Sequence, residues 1–278
     1  MVEASGAYSL DLALALHHAD RVAVMVVNPR AIKDDRRSKM ERSKTDKVDA
    51  TIICDYAYRM EFVPWQPPAE EVLALRQIVR RINTYVDELT ATKNRLEAVS
   101  ASATTCPVVT NDLEVHIRHL ERRIAELEKQ AMRLVEGAPA LSETFARLTS
   151  VRGIATRSAL QLMAELFTLP EGLTVRQWVA YAGLDVRGYT SGASVHRPRR
   201  ISRVGNPRIR RALYMPAQVA IMYDPHVGAF YDMLITRGKK PMVAVVAVMR
   251  KLLHAIYGML KHGMDFDGSK FYLVAKTT

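Results

Sequence analysis

The sequence predicts an α/β segment followed by a long, mainly helical region. Three features support this fold class. Residues 1–66 contain a helix pattern followed by a short continuous apolar run. Such runs are typical of the buried strands of parallel sheets. Residues 67–137 carry two segments in which apolar residues have heptad spacing, and residues 138–278 contain further helix patterns separated by short turns.

The first segment begins on what resembles the end of a β-strand, Met1–Glu3. Ser5-Gly6 then turns the chain towards a helix pattern at Leu10–His18, and Ala23–Val27 is the apolar run of a buried strand. A domain rarely opens on the tail of a strand, so we expect that a segment is missing upstream.

The second segment starts after Pro67-Pro68 and predicts two long helices. Helices with narrow apolar seams pair with each other as a hairpin or with another protomer, and the pattern favours neither arrangement. Lys93, on the first seam, either sets the register or extends outward to water. The seam positions are Val72, Leu75, Val79, Ile82, Val86, Leu89, Lys93 and Leu96, then Leu113, Ile117, Leu120, Ile124, Leu127, Ala131 and Leu134.

The third segment contains two mostly apolar helix patterns, Ile209–Met222 and Met242–Leu260, which predict its core. Its longest unbroken apolar run, Met242–Met249, is too short to cross a bilayer. Near its start, Val151–Ala155 joins two helix patterns through a glycine. Such a turn either holds one phosphate with its backbone N–H groups or simply connects two helices.

The composition points to a polyanionic partner. The chain has 40 Lys and Arg against 29 Asp and Glu, a net charge of +11, and nucleic acid is the commonest polyanion bound by such proteins. Its apolar share of 49% and charged share of 25% are those of a globular protein. No secretory signal pattern is present, and Cys54 and Cys106 lack metal-ligand spacing, so we expect a cytoplasmic location with free thiols.

Positive charge is concentrated in residues 189–211. This stretch holds seven arginines, one histidine and no acid, and Ser191 and Ser194 lie near its start. Because guanidinium groups bind phosphate in bidentate fashion, the stretch predicts contact with a nucleic-acid backbone; a solvated basic loop is the alternative. The arginines are Arg197, Arg199, Arg200, Arg203, Arg208, Arg210 and Arg211.

Carboxylates in the first segment form a candidate metal site. Asp46 and Asp49 are three residues apart, so a helix that starts at Thr45 would direct both from one face of its first turn. Such oxygen ligands suit Mg²⁺, although capping and the helix dipole also favour Asp there. Glu3 at a strand end adds a third acid, in the manner of ribonuclease-H-type folds. Basic residues that would attract a phosphate backbone are Lys39, Arg42, Lys44 and Lys47.

Three separated groups of motifs together resemble one family. The first is VEASG at 2–6 with VNP at 27–29 and KTDKVDA at 44–50. The second is VRGI at 151–154 with AYAGL at 180–184. The third is SGAS at 191–194 with RISRVGN at 200–206 and RRALYMPA at 210–217. In this order they resemble the DEDD-type insertion-sequence transposases of the IS110 family, which are serine recombinases guided by a bridge RNA.

The resemblance implies three domains: a partial ribonuclease-H-like (RuvC-like) domain in 1–66, a coiled-coil hairpin in 67–137, and a helical transposase domain in 138–278. By motif match, Glu3, Asp46 and Asp49 are the second to fourth members of the family's acidic set, which implies Mg²⁺ or Mn²⁺. Ser191 matches the family's nucleophile, which implies a covalent phosphoserine intermediate that conserves the phosphoester bond. The implied partners are donor and target DNA, a guide RNA and further copies of the chain, as a dimer or tetramer.

Two departures from the family pattern leave other hypotheses open. The family's first aspartate, in a Gly-x-Asp segment on an opening strand, has no counterpart, which implies a truncated copy or a misassigned start. A sheet without that strand is expected to fold poorly and to bind Mg²⁺ weakly. Arg152 also stands where the family usually has proline. The alternatives are a metal-dependent nuclease or junction resolvase that uses its carboxylates alone, and a non-catalytic nucleic-acid-binding remnant.

Overall fold

A computed structural model describes residues 1–4, 6–43, 45–191 and 195–273, without the side chains of Ala7 and residues 189–199. The chain forms two compact units, Met1–Pro68 and Ala69–Thr278. Helices dominate and strands are few, so the predicted mainly helical character is confirmed.

The first unit is a small α/β arrangement. Two short strands, β1 (Val2–Glu3) and β2 (Val26–Val27), pair in parallel. Helix α1 (Ala7–His17) connects them, as parallel pairing requires a crossover. Helices α2 (Pro29–Ser38) and α3 (Asp46–Arg59) follow. The second strand is shorter than the apolar run Ala23–Val27 predicts. The Val24 carbonyl, before the strand, accepts a hydrogen bond from the backbone N–H of Trp65 at 2.7 Å.

The two faces of this small sheet bury different clusters. Val2 and Val24 pack with Ala13 of α1 on one face. On the other face, Val27 packs with Ile32 of α2 and Ile52 of α3. Helices therefore cover both faces of the strand pair.

The second unit begins with a helical hairpin. Helices α4 (Glu70–Ser100) and α5 (Pro107–Gly137) pack against each other. Only six residues connect them, so the two helices are antiparallel. Seam residues such as Leu75 and Leu120 are almost fully buried inside the single chain. Lys93 is exposed, and its Nζ lies 2.8 Å from Glu121 Oε1 on α5. Of the two arrangements left open by the sequence, the described chain forms the intramolecular hairpin.

The remaining elements form a helical core with one β-hairpin. In chain order they are α6 (Pro139–Ser150), α7 (Thr156–Leu166), α8 (Val175–Tyr181), β3 (Val186–Ser191), β4 (Val195–Ile201), α9 (Pro207–Tyr223), α10 (Pro225–Thr236), α11 (Pro241–His262) and α12 (Gly268–Phe271). Helices α7, α9 and α11 supply the most deeply buried side chains, among them Leu160, Leu213 and Leu252. The two helix patterns predicted in this region are confirmed as α9 and α11.

Helix α11 is the one described helix that is long and apolar enough to cross a membrane by length and composition. Of its most apolar window, 44% is buried inside the unit. Val248, Leu252 and Ile256 are wholly inaccessible to solvent and belong to the main core cluster. These contacts account for its apolar composition as a core helix.

Strands β3 and β4 were not predicted from the sequence. They pair antiparallel, and the register shifts between Arg187 and Tyr189. The shift is a bulge opposite Gly188, where β4 carries one extra residue. The arginine-rich stretch is therefore a hairpin strand followed by the start of a helix, rather than a loop.

Candidate nucleic-acid interface and carboxylate site

Ser191 is the last residue of β3. Its backbone pairs with Val195, so it stands at the end of the β3–β4 ladder. Residues 192–194, including Ser194, and the side chain of Ser191 lie outside the described part of the structure. The sheet thus fixes the backbone of the predicted nucleophile at the tip of a hairpin.

Four of the predicted arginines follow along β4 and the turn after it. Arg197 and Arg199 belong to β4, but their side chains are not described. Arg200 pairs across the ladder with Arg187, and both are exposed. Arg203 is exposed as well, in a left-handed backbone conformation with φ of 53°. This part of the hairpin presents positive charge to solvent.

The other three arginines lie in the first turns of α9. The sequence starts this helix locally, since Pro207 occupies its first turn and the Asn206 side chain accepts a hydrogen bond from the Arg208 N–H at 2.9 Å. Arg210 Nη1 donates to the Ala182 carbonyl at 2.7 Å. Arg211 Nη2 lies 2.5 Å from Asp87 Oδ1 on α4. The stretch contains no acid of its own, but the fold brings acids to it from elsewhere.

A buried carboxylate, Glu165 of α7, contacts the start of α9. It is 2% exposed. Arg80 of α4 donates to both its oxygens, Nε to Oε1 at 2.9 Å and Nη2 to Oε2 at 3.1 Å. Asn206 Nδ2 donates to Oε2 at 2.6 Å, and Arg208 Nε lies 4.0 Å from Oε1. One carboxylate therefore joins α4, α7 and the start of α9.

Charge stabilisation keeps Glu165 ionised. Burial alone would raise the pKa of this carboxyl, but hydrogen bonds from Arg80 and Asn206 outweigh burial and hold the pKa below its usual value. Arg76, whose Nη2 lies 3.8 Å from Glu165 Oε2, has a lowered pKa because it is partly buried and lies near Arg80. Sequence interpretation missed Glu165, Arg80 and Arg76; the available signal was a single acid inside the apolar helix pattern of α7.

The carboxylates of the first unit lie where the sequence predicted a helix start. Thr45 caps α3, since its Oγ1 accepts from the Val48 N–H at 3.3 Å. Asp46 and Asp49 both belong to the first turn of α3. Asp46 is exposed, whereas Asp49 is partly buried in an ion pair with Arg36 of α2. In the described geometry a guanidinium group therefore occupies one side of Asp49.

Glu3 leaves the strand pair on the face that α2 and α3 cover. It pairs with Val27, whose side chain is buried against Ile32 and Ile52, and paired residues of a parallel ladder direct their side chains to one face. Val48, next to Asp49, packs on the same cluster. Within the described residues, however, no three His, Cys, Asp or Glu side chains are grouped closely enough to hold a metal.

The basic residues beside these carboxylates are partly neutralised. Lys39 Nζ lies 2.8 Å from Asp55 Oδ2 and 3.6 Å from Asp35 Oδ2, so it mainly links α2 to α3. Arg42 and Lys47 are exposed, and Lys44 lies outside the described residues. Among the described members of this set, Arg42 and Lys47 are the exposed basic side chains open to a phosphate backbone.

The glycine turn between α6 and α7 is explained by packing. Gly153 has φ of 100°, and a Cβ added there would lie 2.6 Å from the Pro216 carbonyl oxygen of α9. Arg152 Nη1 also donates to the Tyr223 carbonyl at the end of α9, at 2.8 Å. Close contact with α9 favours the plain helix connection over the phosphate-binding turn.

Two family models match separate stretches of the chain. A family model for DEDD transposases of the IS110 type, described as "Transposase", matches residues 1–101. A second model, described as "Transposase IS116/IS110/IS902 family", matches residues 145–232. The chain belongs to the IS110 family of transposases. The family resemblance found in the motifs is thereby confirmed, and the coarse function is that of an insertion-element transposase or recombinase.

Curated relatives of this IS110-family chain extend over most of its length. The pilin gene-inverting proteins of Moraxella lacunata and Moraxella bovis are each 29% identical over 269 residues, which covers 96% of this chain and 81% of the relative. An uncharacterized 43.6 kDa protein of insertion element IS110 from Streptomyces coelicolor is 26% identical over 188 residues, 68% of this chain and 45% of the relative. DEDD transposases as a family suggest divalent-metal use.

Proposed function

We propose that this chain cuts and rejoins DNA through a covalent phosphoserine intermediate at Ser191. The observation that carries the proposal is the backbone position of Ser191 at the end of β3, directly before the strand, turn and helix that bear the seven arginines. Membership of the IS110 family supports DNA strand rearrangement as the process. The name of two relatives, pilin gene-inverting protein, also describes a DNA rearrangement.

The proposed chemistry is two successive transesterifications. The Ser191 Oγ attacks the phosphorus of a phosphodiester, the Oγ–P bond forms, and the bond from phosphorus to one sugar oxygen breaks. The Oγ proton passes to a base, and the released sugar oxygen takes up a proton as a free hydroxyl. In the second step a sugar hydroxyl of another strand attacks the same phosphorus and releases Ser191. The number of phosphoester bonds is conserved, so no ATP is needed.

The arginines would hold the phosphate in line for this attack. Arg200 and Arg203 are exposed, and each can present a planar pair of donors to phosphate oxygens. We assign the same general role to Arg197 and Arg199 on β4. Positioning of this kind contributes by keeping the reacting atoms close and aligned.

Glu3, Asp46 and Asp49 are the residues that would hold Mg²⁺ or Mn²⁺. All three offer the oxygen ligands that hard cations prefer. In the described geometry they are not grouped, so metal binding would require them to approach one another and Asp49 to leave Arg36. Glu3 faces the side covered by α3, and the two aspartates open that helix. A bound divalent cation would lower the cost of deprotonating a hydroxyl and of charge build-up on phosphate oxygens. We propose a ribonuclease-H-like (RuvC-like) role for this unit on these grounds.

Sequence recognition and assembly complete the proposal. A guide RNA would select donor and target DNA, so the protein itself would mainly contact backbone phosphates. Serine and carboxylates would come together from different protomers of a dimer or tetramer. Residues 67–137 would contribute to that assembly as a coiled coil.

The serine assignment is tested by trapping the intermediate. Ser191→Ala should abolish strand exchange and the covalent protein–DNA adduct, while DNA binding stays near the wild-type level. Ser194→Ala, in the same segment, is the matched control and should retain the adduct. The readouts are denaturing gel electrophoresis of labelled DNA with protein, and a binding titration. An adduct that persists in the Ser191→Ala protein would refute the assignment.

The same variants separate the transposase from a simple metal-dependent nuclease. A nuclease that activates water with its carboxylates would lose cleavage with Asp46→Ala but keep it with Ser191→Ala, and would form no adduct. A chain that binds DNA and RNA but cleaves neither, with Mg²⁺ or Mn²⁺ present, would instead support a non-catalytic binding protein.

A further inference from the structure

A polar cavity of about 100 Å³ lies among α4, α7 and the start of α9. Its walls carry three guanidinium groups, from Arg80, Arg208 and Arg211, together with two side-chain amides, one hydroxyl and one carboxylate. The lining is therefore dominated by hydrogen-bond donors. A ligand that offers only acceptors, and carries negative charge, matches such a lining.

Positive charge around the cavity exceeds the acids available to it. Arg76, Arg80 and Arg208 share one carboxylate, that of Glu165. Arg211 has Asp87 as its partner, and the side chain of Asp87 is 62% exposed. Four guanidinium groups thus face two carboxylates among the described residues. The Nε atom of Arg76 is buried and has no hydrogen-bond partner within the described part of the chain.

The excess charge has an energetic consequence. Burial lowers the pKa of Arg76, and the neighbouring charges of Arg80 and Arg208 lower it further, while Glu165 opposes them. Guanidinium groups that repel one another are stabilised by an added anion. The wall is also fixed before any ligand arrives, since the Gln161 amide donates to Asn83 Oδ1 and Arg80 is held in a two-point contact with Glu165.

We propose that this cavity binds one phosphodiester group of a nucleic-acid backbone, with Arg80, Arg208 and Arg211 as its donors. The phosphate displaces Asp87 from Arg211. The assignment of the phosphate to nucleic acid rests on the proposed function. It is favoured because Arg208 and Arg211 follow along the chain after the exposed Arg200 of β4 and Arg203 of the next turn. A backbone that follows those arginines reaches the cavity at the start of α9.

The sharpest test removes the competing acid. Asp87→Asn should tighten binding of a fluorescein-labelled DNA duplex about threefold, because Arg211 is freed for phosphate. Glu114→Gln is the matched control: Glu114 also forms a surface ion pair with an arginine, Arg118, at 3.7 Å on α5. If both variants tighten binding equally, the gain reflects net charge alone and the proposal fails.

The complementary variant removes a donor. Arg211→Gln should weaken duplex binding about tenfold and reduce the slope of log affinity against log salt by about 0.9, the value for one lost phosphate contact on duplex DNA. Arg118→Gln serves as its control and should change the affinity little. Equal losses in the two variants, or an unchanged salt slope for Arg211→Gln, would overturn the assignment.

Inorganic phosphate distinguishes the two sources of the anion. Millimolar phosphate should raise the melting temperature of the wild-type protein. A larger rise in Asp87→Asn and no rise in Arg211→Gln would support phosphate binding in this cavity. If phosphate alone gives these effects while duplex binding is indifferent to both variants, the ligand is a free anion and the proposal is wrong. These binding measurements do not depend on strand exchange, so failure of the Ser191 mechanism would leave them interpretable.

Discussion

Glu165 is a single acid on a helix that is otherwise packed into the core. A carboxylate almost removed from water is tolerated only when hydrogen bonds and opposite charges replace its hydration. Arg80 and Asn206 supply the bonds, and Arg76 and Arg208 add positive charge nearby. Its role follows from these contacts: it links three helices that are distant in the sequence.

Replacement of this carboxylate should be costly. Glu165→Gln keeps the shape but leaves the surrounding guanidinium groups without their counter-charge, and we expect it to lower the free energy of unfolding by about 3 kcal/mol at pH 7. Chemical denaturation followed by circular dichroism measures this. Glu171→Gln, at an exposed turn, should change it by less than about 0.5 kcal/mol. A loss at position 165 no larger than at 171 would contradict the account.

The same substitution has a defined pH dependence. The folded pKa of Glu165 is below its usual value of 4.5, so the stabilisation from the charged form is fully present at neutral pH and is lost as the pH falls through the folded pKa. The difference in unfolding free energy between wild type and Glu165→Gln should therefore shrink below about pH 4.5. A difference that stays constant between pH 7 and pH 3 would exclude ionisation as the cause.

At the scale of single elements, a helix or strand could be predicted where a short stretch of sequence carries its signal. Asn206-Pro207 is a cap followed by a first-turn proline, and the apolar period after it identified α9 correctly. The same signal at Asp224-Pro225 opens α10, but it was overlooked because the apolar pattern of α9 runs up to it. Strands β3 and β4 gave no apolar alternation, since their residues are largely polar or charged.

The sequence left open whether the glycine turn between α6 and α7 binds phosphate or only connects two helices. Gly153→Ala should destabilise the protein by about 2 kcal/mol, because a Cβ meets the Pro216 carbonyl and φ is positive. Gly137→Ala at the end of α5 meets nothing within 4 Å and should be nearly neutral. Thermal and chemical denaturation of both variants provide the measurement. A neutral Gly153→Ala would mean that the turn is not pressed against α9.

The site was predictable only where its residues carry local signals. The helix start predicted at Thr45 placed Asp46 and Asp49 correctly on the first turn of α3. The ion pair of Asp49 with Arg36, and that of Arg211 with Asp87, could not be foreseen, because each joins residues of different elements through tertiary packing. For the same reason, residues 189–211 contain no acid in the sequence, yet in the fold Asp87 and Glu165 lie close to their arginines.

At the scale of the whole molecule, the two units differ greatly in the size of their cores. The first unit buries two small clusters about a pair of two-residue strands, whereas the second has one large apolar cluster. Stability grows with buried apolar area, so the first unit should unfold at lower denaturant concentration than the second.

The two tryptophans allow this to be measured, since Trp65 packs in the first unit and Trp178 packs edge-on against Tyr257 in the second. Fluorescence of Trp178→Phe should report an early transition, and that of Trp65→Phe a later one. A fragment of residues 69–278 should reproduce the later midpoint. Coincident transitions in the two full-length variants would show that the units unfold together.

The contacts of Glu165 also constrain how this sequence can diverge. If Glu165 were substituted before the arginines, several buried or half-buried cations would face one another without a counter-charge. If one arginine were substituted first, the carboxylate would still balance the remaining cations. Substitutions along a lineage should therefore occur at positions 80 or 208 before position 165. Among descendants, a neutral residue at 165 should be accompanied by neutral residues at those arginine positions.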